Sequence, residues 1–277
     1  MNLLKNKTAP LPKIIYGTAW KEDTTADLVK QAISIGFRAI DTANQKKHYR
    51  EDFAGDALQE FFDQGIAREE FFLQSKYTYA AGQDHRLPYD PKSSFSQQVN
   101  DSFASSLKNL HTDYLDSYLL HGPSSGQGLT ESDLEVWQAM ESLHQSGQAK
   151  RIGVSNVGLH HLESLCAKAR IKPEIVQNRC YAVGGWDQDV REYCSDHNIT
   201  YQGFSLLTAN PRVVRHSRVI ALAEKRKVTP EQIILRFASQ IGILPLTGTT
   251  DPQHMKEDLE IFKFELSTVE VESLLKI

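Results

Sequence analysis

Residues 37–41 read Phe37-Arg38-Ala39-Ile40-Asp41, and residues 71–76 read Phe71-Phe72-Leu73-Gln74-Ser75-Lys76. Each is a β-prone run of strand length that ends on an ionisable residue. Between them Phe53, Ala57, Leu58 and Phe61 recur at helical spacing, so the segment reads strand, amphipathic helix, strand. Parallel pairing of two strands requires a crossover of this kind. The same unit recurs outward in both directions. Further candidate strands are 14–17, 115–121, 150–155, 175–178, 200–205 and 243–247, and their starts lie roughly 20 to 45 residues apart. Helical periods fill the gaps: Leu28, Ala32 and Ile35; Val99, Phe103, Leu107 and Leu110; Leu134, Trp137 and Met140. Local punctuation agrees, with a capping-box pattern Thr24-x-x-Asp27, a helix-ending Gly36, and Pro230 placed for a first helical turn. Eight such units predict a closed (β/α)8 barrel in one domain over residues 1–277. The competing doubly wound sheet is disfavoured because its G-x-G-x-x-G turn is missing; Gly126-Gln127-Gly128 runs on to Glu131 with no strand before it.

Composition narrows the partners. The 277 residues carry 31 Lys+Arg against 35 Asp+Glu, a formal net charge of -4, with no basic block to attract nucleic acid or an anionic membrane. No apolar run is long enough for a signal peptide or a span, which makes the cytoplasm the expected address. Cys166, Cys180 and Cys194 are odd in number and widely spaced, so they predict reduced thiols rather than disulfides or a zinc site. His160, His161 and Cys166 share a helix off the ligand repeat, and no metal site is expected.

The strand ends carry the chemistry. In consecutive predicted strands an apolar run ends in Asp41, Lys76 and His121. In a barrel these ends share one rim, the rim where barrel enzymes place their active sites. An acid, an amine and an imidazole there are costly to desolvate unless they pair with one another, and such pairing moves pKa values. Each alone reads as an ordinary cap or strand end; together they read as a reactive cluster. The other strand ends offer hydroxyls and amides: Thr18, Ser155, Asn156, Gln177, Ser205 and Thr247. Two irregular stretches, 77–94 and 122–130, follow strands and are candidate pocket walls.

Gly17-Thr18-Ala19-Trp20, the run from Gly36 to Ala43, Ile152-Gly153-Val154-Ser155-Asn156 and Gln177-Asn178 stand in the order and spacing of the aldo-keto reductases, which this chain resembles over almost its whole length. The resemblance implies a nicotinamide dinucleotide bound at the barrel mouth without a Rossmann domain. It also implies a catalytic tetrad of Asp41, Tyr49, Lys76 and His121. Tyr49 would donate a proton to the substrate carbonyl as hydride arrives, Lys76 would lower the phenol's pKa, Asp41 would balance the lysine, and His121 would orient the carbonyl. Ser155, Asn156 and Gln177 match positions that hold the nicotinamide carboxamide. Phe204 stands where the family stacks a tyrosine on the ring. The resemblance also implies that Gly17 and Thr18 are cofactor-binding, that Ser205 and Leu207 lie in the loop that meets the pyrophosphate, and that Gly248, Thr249, Thr250, His254, Glu257 and Asp258 stand at the adenosine end.

Two features depart from the family pattern. The tyrosine comes three residues late, in Asn44-Gln45-Lys46-Lys47-His48-Tyr49, so its loop must bulge, with His48 the weaker substitute acid. After the eighth strand the basic residues that grip a 2'-phosphate give way to Thr249, Thr250, Asp251 and His254. Family habit implies NADP(H), and the missing basic residues leave NAD(H) as the alternative. Trp20, Tyr79 and Trp186 are the candidate substrate walls, implying aldehydes, ketones or keto esters as substrates. A dinucleotide-binding regulatory subunit with little turnover is the other functional class, and a monomer is expected.

Overall fold

Strand and helix periods set the architecture directly. A computed structural model describes residues 10–277. Its strands are β1 (Ile15–Gly17), β2 (Ala39–Asp41), β3 (Phe72–Tyr77), β4 (Ser117–Leu120), β5 (Ile152–Ser155), β6 (Ile175–Arg179), β7 (Thr200–Phe204) and β8 (Leu244–Thr247). The helices between and after them are α1 (Thr25–Ile35), α2 (Glu51–Asp63), α3 (Phe95–Asn109), α4 (Glu131–Gln145), α5 (Leu159–Lys168) and α6 (Gln188–Asp196). They continue with α7 (Pro211–Val214), α8 (Ser217–Arg226), α9 (Pro230–Gln240), α10 (Pro252–Glu260) and α11 (Thr268–Leu275). Every strand pairs in parallel with the next, and β8 returns to β1, with Ile15 opposite Leu246. That closure excludes the open doubly wound sheet.

Most of the punctuation acts as its residue types require. Gly36 ends α1 at φ 128°, its N–H reaching the carbonyls of Ala32 and Ile33, a conformation L side chains avoid. Pro230 opens α9 behind a Thr229–Gln232 capping box, and Ser267 with Glu270 opens α11 in the same way. Thr24 is a correction. It makes no side-chain cap on α1; its hydroxyl donates back to the Lys21 carbonyl at 2.6 Å, because a 3₁₀ turn already leads into that helix.

Two cores follow from the alternation of strand side chains. Outward-facing residues such as Tyr16, Ile40, Leu73, Tyr118 and Val176 join the helices in the large shell core. Inward-facing Ile15, Ala39, Phe72, Leu119, Ile175 and Leu246 form a small apolar plug inside the barrel. Two residues further along the same inward faces stand Asp41, Gln74, His121 and Gln177. The barrel interior thus changes from apolar to polar toward its carboxyl rim, and this change positions the site. Among the described residues, no helix is long and apolar enough to cross a membrane.

Candidate active site

The floor of the site is an ion pair. Lys76 Nζ donates to both Asp41 carboxylate oxygens at 2.7 Å and to the Thr42 carbonyl at 2.9 Å. The two side chains are 0% and 5% exposed. Burial pulls the Lys76 pKa down while Asp41, and behind it Glu51, hold it up. Asp41 also accepts from Gln74 Nε2 at 2.7 Å and Gln177 Nε2 at 3.0 Å. A carboxylate and an ammonium so enclosed are stable only with this degree of mutual satisfaction.

Tyr49 reaches the same place despite its late position. The extra residues coil into a helical turn, with the N–H groups of His48 and Tyr49 both bonded to the Gln45 carbonyl. Gln83 Nε2 holds the Asn44 carbonyl at 2.8 Å, Gln45 Nε2 the Gly82 carbonyl at 2.7 Å, and Asn44 Nδ2 the Ser102 carbonyl at 3.0 Å. So anchored, the Tyr49 ring lies 5.3 Å from Lys76 Nζ and edge-on to His121 at 5.8 Å between ring centres. His48 is turned aside against Trp20, with ring centres 3.8 Å apart and ring planes tilted by 35°. Burial, then the Asp41 charge, raises the Tyr49 pKa above its ordinary value of 10.0. This departs from the expected lowering by Lys76, whose charge is engaged by Asp41. His121 is pushed from 6.5 down to about 3 by burial, then by Lys76 and His48, so its imidazole is neutral at ordinary pH. Its Nδ1 meets the Thr78 hydroxyl at 2.7 Å.

Above this floor opens a cavity of 460 Å³. Of the sequence-expected residues, Gly17, Trp20, Asp41, Tyr49, His121, Ser155, Asn156, Gln177, Phe204, Ser205, Leu207, Gly248, Thr249, His254, Glu257 and Asp258 line it. Lys76 lies beneath and supports it. Asn156 and Ser205 adopt left-handed backbone, φ 56° and 57°; Asn156 Nδ2 grips the His121 carbonyl at 2.7 Å. Asp258 is buried, bonded to the Thr247 hydroxyl at 2.5 Å, and raised to about 6 by burial.

Four expectations need correction. Thr18 is wholly buried and donates its hydroxyl to the Asp41 carbonyl at 3.0 Å, bracing β2 from outside the cavity. Thr250 is exposed beyond the lining. Tyr79 turns away, donating to Asp133 Oδ1 at 2.8 Å and packing edge-on to Phe95. Trp186 is 1% exposed and packs on Phe237, a core residue and not a wall. Sequence reasoning missed Ala19, Leu206, Thr208, Glu231, Leu235 and Leu246, which also line the cavity. Glu231 and Leu235 come from α9, which approaches the rim by packing alone and bears no local signal. It missed Lys21 as well, a buried amine lowered to about 8 by desolvation, whose Nζ holds the Gly248 carbonyl at 2.7 Å. Among the described residues that line the cavity there is no lysine or arginine.

The donor set suits a dinucleotide: hydroxyl and amide groups beside Tyr49 and His121, an aromatic face at Phe204, and a long slot toward α9 and α10. Comparison with known proteins agrees, for the model of the aldo/keto reductase family matches residues 13–211. The chain belongs to that family. It is 32% identical to a glyoxal reductase of Bacillus subtilis over 89% of this chain and 80% of that protein. It is 28% identical to an NADPH-dependent alpha-keto amide reductase of Saccharomyces cerevisiae, over 98% and 88%. The crystal structure of an aldo-keto reductase enzyme from a Medee basin deep-sea metagenome library superposes with a TM-score of 0.83 at 27% identity, covering 98% of this chain and 93% of that one. Enzymes of this family are oxidoreductases that generally use nicotinamide cofactors.

Proposed function

We propose that this aldo-keto reductase reduces aldehydes and ketones, keto esters among them, to alcohols with Tyr49 as general acid. The observation that carries the reading is the convergence of Tyr49 and His121 over the buried Lys76–Asp41 pair, at one end of the cavity. A bound NAD(P)H would supply the hydride. Ser155, Asn156 and Gln177 would hold its carboxamide end, Phe204 its ring, and the backbone from Ser205 to Leu207 its pyrophosphate.

Tyr49 holds its proton firmly, because burial and Asp41 disfavour the phenolate. An alkoxide is a far stronger base than a phenolate, so the proton moves to the carbonyl oxygen only as negative charge develops there. Lys76, its N–H groups engaged by Asp41 and the Thr42 carbonyl, keeps that carboxylate balanced beside the phenol. His121 is neutral, and the role proposed for it takes the tautomer in which the Thr78 hydroxyl donates to Nδ1 and Nε2 carries the hydrogen that orients the carbonyl oxygen. Trp20, 68% exposed, with Leu206, Leu207 and Leu246 provides apolar wall for small carbonyl compounds. The glyoxal and keto amide reductases among the relatives make dicarbonyls the first compounds to try.

The test is loss of NADPH or NADH absorbance against a panel of aldehydes, dicarbonyls and keto esters. Turnover is expected, and Tyr49→Phe is expected to lower it by roughly 10²- to 10⁴-fold. Near-normal turnover by that variant overturns the acid assignment. Inertness across the panel with tight dinucleotide binding replaces the enzyme with a regulatory binding subunit.

A further inference from the structure

Beneath the cavity three glutamines on β3, β6 and β7 surround Asp41 with hydrogen bonds the mechanism above leaves unused. Gln74 Nε2 donates to Asp41 Oδ1 at 2.7 Å and to Gln202 Oε1 at 2.8 Å. Gln177 Nε2 donates to Asp41 Oδ1 at 3.0 Å and to Gln202 Oε1 at 2.9 Å. Gln202 Nε2 donates back to Gln74 Oε1 at 3.0 Å. Gln74 and Gln202 are wholly buried and form no part of the cavity wall, whereas Gln177 lines it.

One orientation of all three amides satisfies this cluster. A carboxylate can only accept, so the atoms of Gln74 and Gln177 that face Asp41 are their NH₂ groups. The second hydrogen of each meets the same atom of Gln202, which must be its carbonyl oxygen. The Gln202 NH₂ is thereby turned to Gln74 Oε1. Reversing any one amide sets donor against donor or oxygen against oxygen in a dry interior, where an unsatisfied group is costly. Both hydrogens of Gln177 are engaged below the floor. What it has left for the cavity is Oε1, an acceptor.

We propose that Gln202 and Gln74 are positioning residues that, acting through Gln177, make this point of the cavity accept hydrogen bonds and not donate them. The inference rests on the dinucleotide reading above: the group accepted is the carboxamide –NH₂ of the nicotinamide. With an apolar side chain at 202, Asp41 still holds one hydrogen of the Gln177 NH₂, but the other loses its partner below and is free to swing toward the cavity.

The test compares dissociation constants, by quenching of tryptophan fluorescence, for NAD(P)H and for its 3-acetylpyridine analogue, which keeps the carbonyl but carries methyl in place of the amino group. The natural chain is expected to prefer the carboxamide by about tenfold, the value of one well-made hydrogen bond. Gln202→Met is expected to narrow that preference to about twofold or less, since the released N–H of Gln177 donates to either carbonyl. Should that variant fail to fold, Gln74→Met serves in its place, because it removes the oxygen that holds the Gln202 NH₂ and narrows the preference in the same direction. A variant that weakens both ligands equally, with the preference intact, marks a merely structural role and overturns the proposal, as does a natural chain without preference. A natural chain that binds neither ligand overturns instead the cofactor reading beneath it.

Discussion

Lys76 and Asp41 show how little freedom a buried ion pair leaves its members. Each is satisfied by the other at 2.7 Å in a setting where Lys76 is sealed from water and Asp41 nearly so, so removing one leaves the other as an uncompensated charge. Lys76→Met is therefore expected to destabilise the fold by about 3–5 kcal/mol as well as abolish turnover. The double variant Lys76→Met/Asp41→Asn removes both charges and is expected to recover most of the lost stability while remaining inactive. Urea unfolding of the three chains checks this. A double variant no more stable than the single one would show that the cost lies in lost packing and not in the stranded carboxylate. The pair was legible in the sequence because both residues end apolar runs at the same phase. Its amide partner Gln74, and Gln202 behind that partner, were not, since a polar residue inside a strand pattern looks the same whether it faces a barrel interior or a helix.

The turn between β2 and α2 shows how an element absorbs an irregular sequence. Three added residues approximate one helical turn, so the chain takes them up by coiling at Gln45–Tyr49 and still delivers the phenol to the rim. The turn has no core of its own and depends on polar anchors; the next loop supplies Gln83 to the Asn44 carbonyl, the Gly82 carbonyl to Gln45 and, at the exposed edge, Arg86 to the Lys46 carbonyl. Gln83→Leu is expected to loosen Tyr49 and lower kcat by up to about 10²-fold, the penalty of roughly 1 Å of misplacement. Thermal stability should change little, because the shell core is untouched; turnover and melting measured on one preparation separate the two. A fall in Tm with kcat retained would contradict this reading of the turn. The sequence pointed to the bulge but could not show its form, which is set by Gln83 and Ser102 from outside the loop. Tyr79 and Trp186 failed as wall residues for a related reason: an aromatic after a strand serves pocket or core according to packing that no local pattern records.

For the molecule as a whole, eight strands with one inward phase account for most of what the sequence made visible, since strand ends in a closed barrel have a single place to meet. The burial that assembles them also writes a pH dependence into stability. His121 falls from 6.5 to about 3 on folding, so between those values the unfolded chain binds the extra proton and stability rises with pH. Asp258 moves the other way, from 3.8 to about 6, so across that window the folded chain binds the proton and stability falls as pH rises. A fully developed difference of one proton is worth about 1.4 kcal/mol per pH unit. Between about pH 4 and 6 the two slopes oppose and cancel; below 4 the Asp258 slope ends, and the His121 slope, joined by that of Glu270, which Arg226 holds down at about 2, makes acid destabilise. Asp258→Asn should expose a stability that climbs with pH from 4 to 6, and His121→Asn one that declines over the same range. Urea midpoints for the natural chain and both variants from pH 3.5 to 7 check the signs. If Asp258→Asn leaves the profile flat, the His121 slope is absent; if the natural chain already climbs as steeply as that variant, the Asp258 carboxyl is not protonated in the fold at pH 5, and its hydrogen bond to Thr247 has offset the burial.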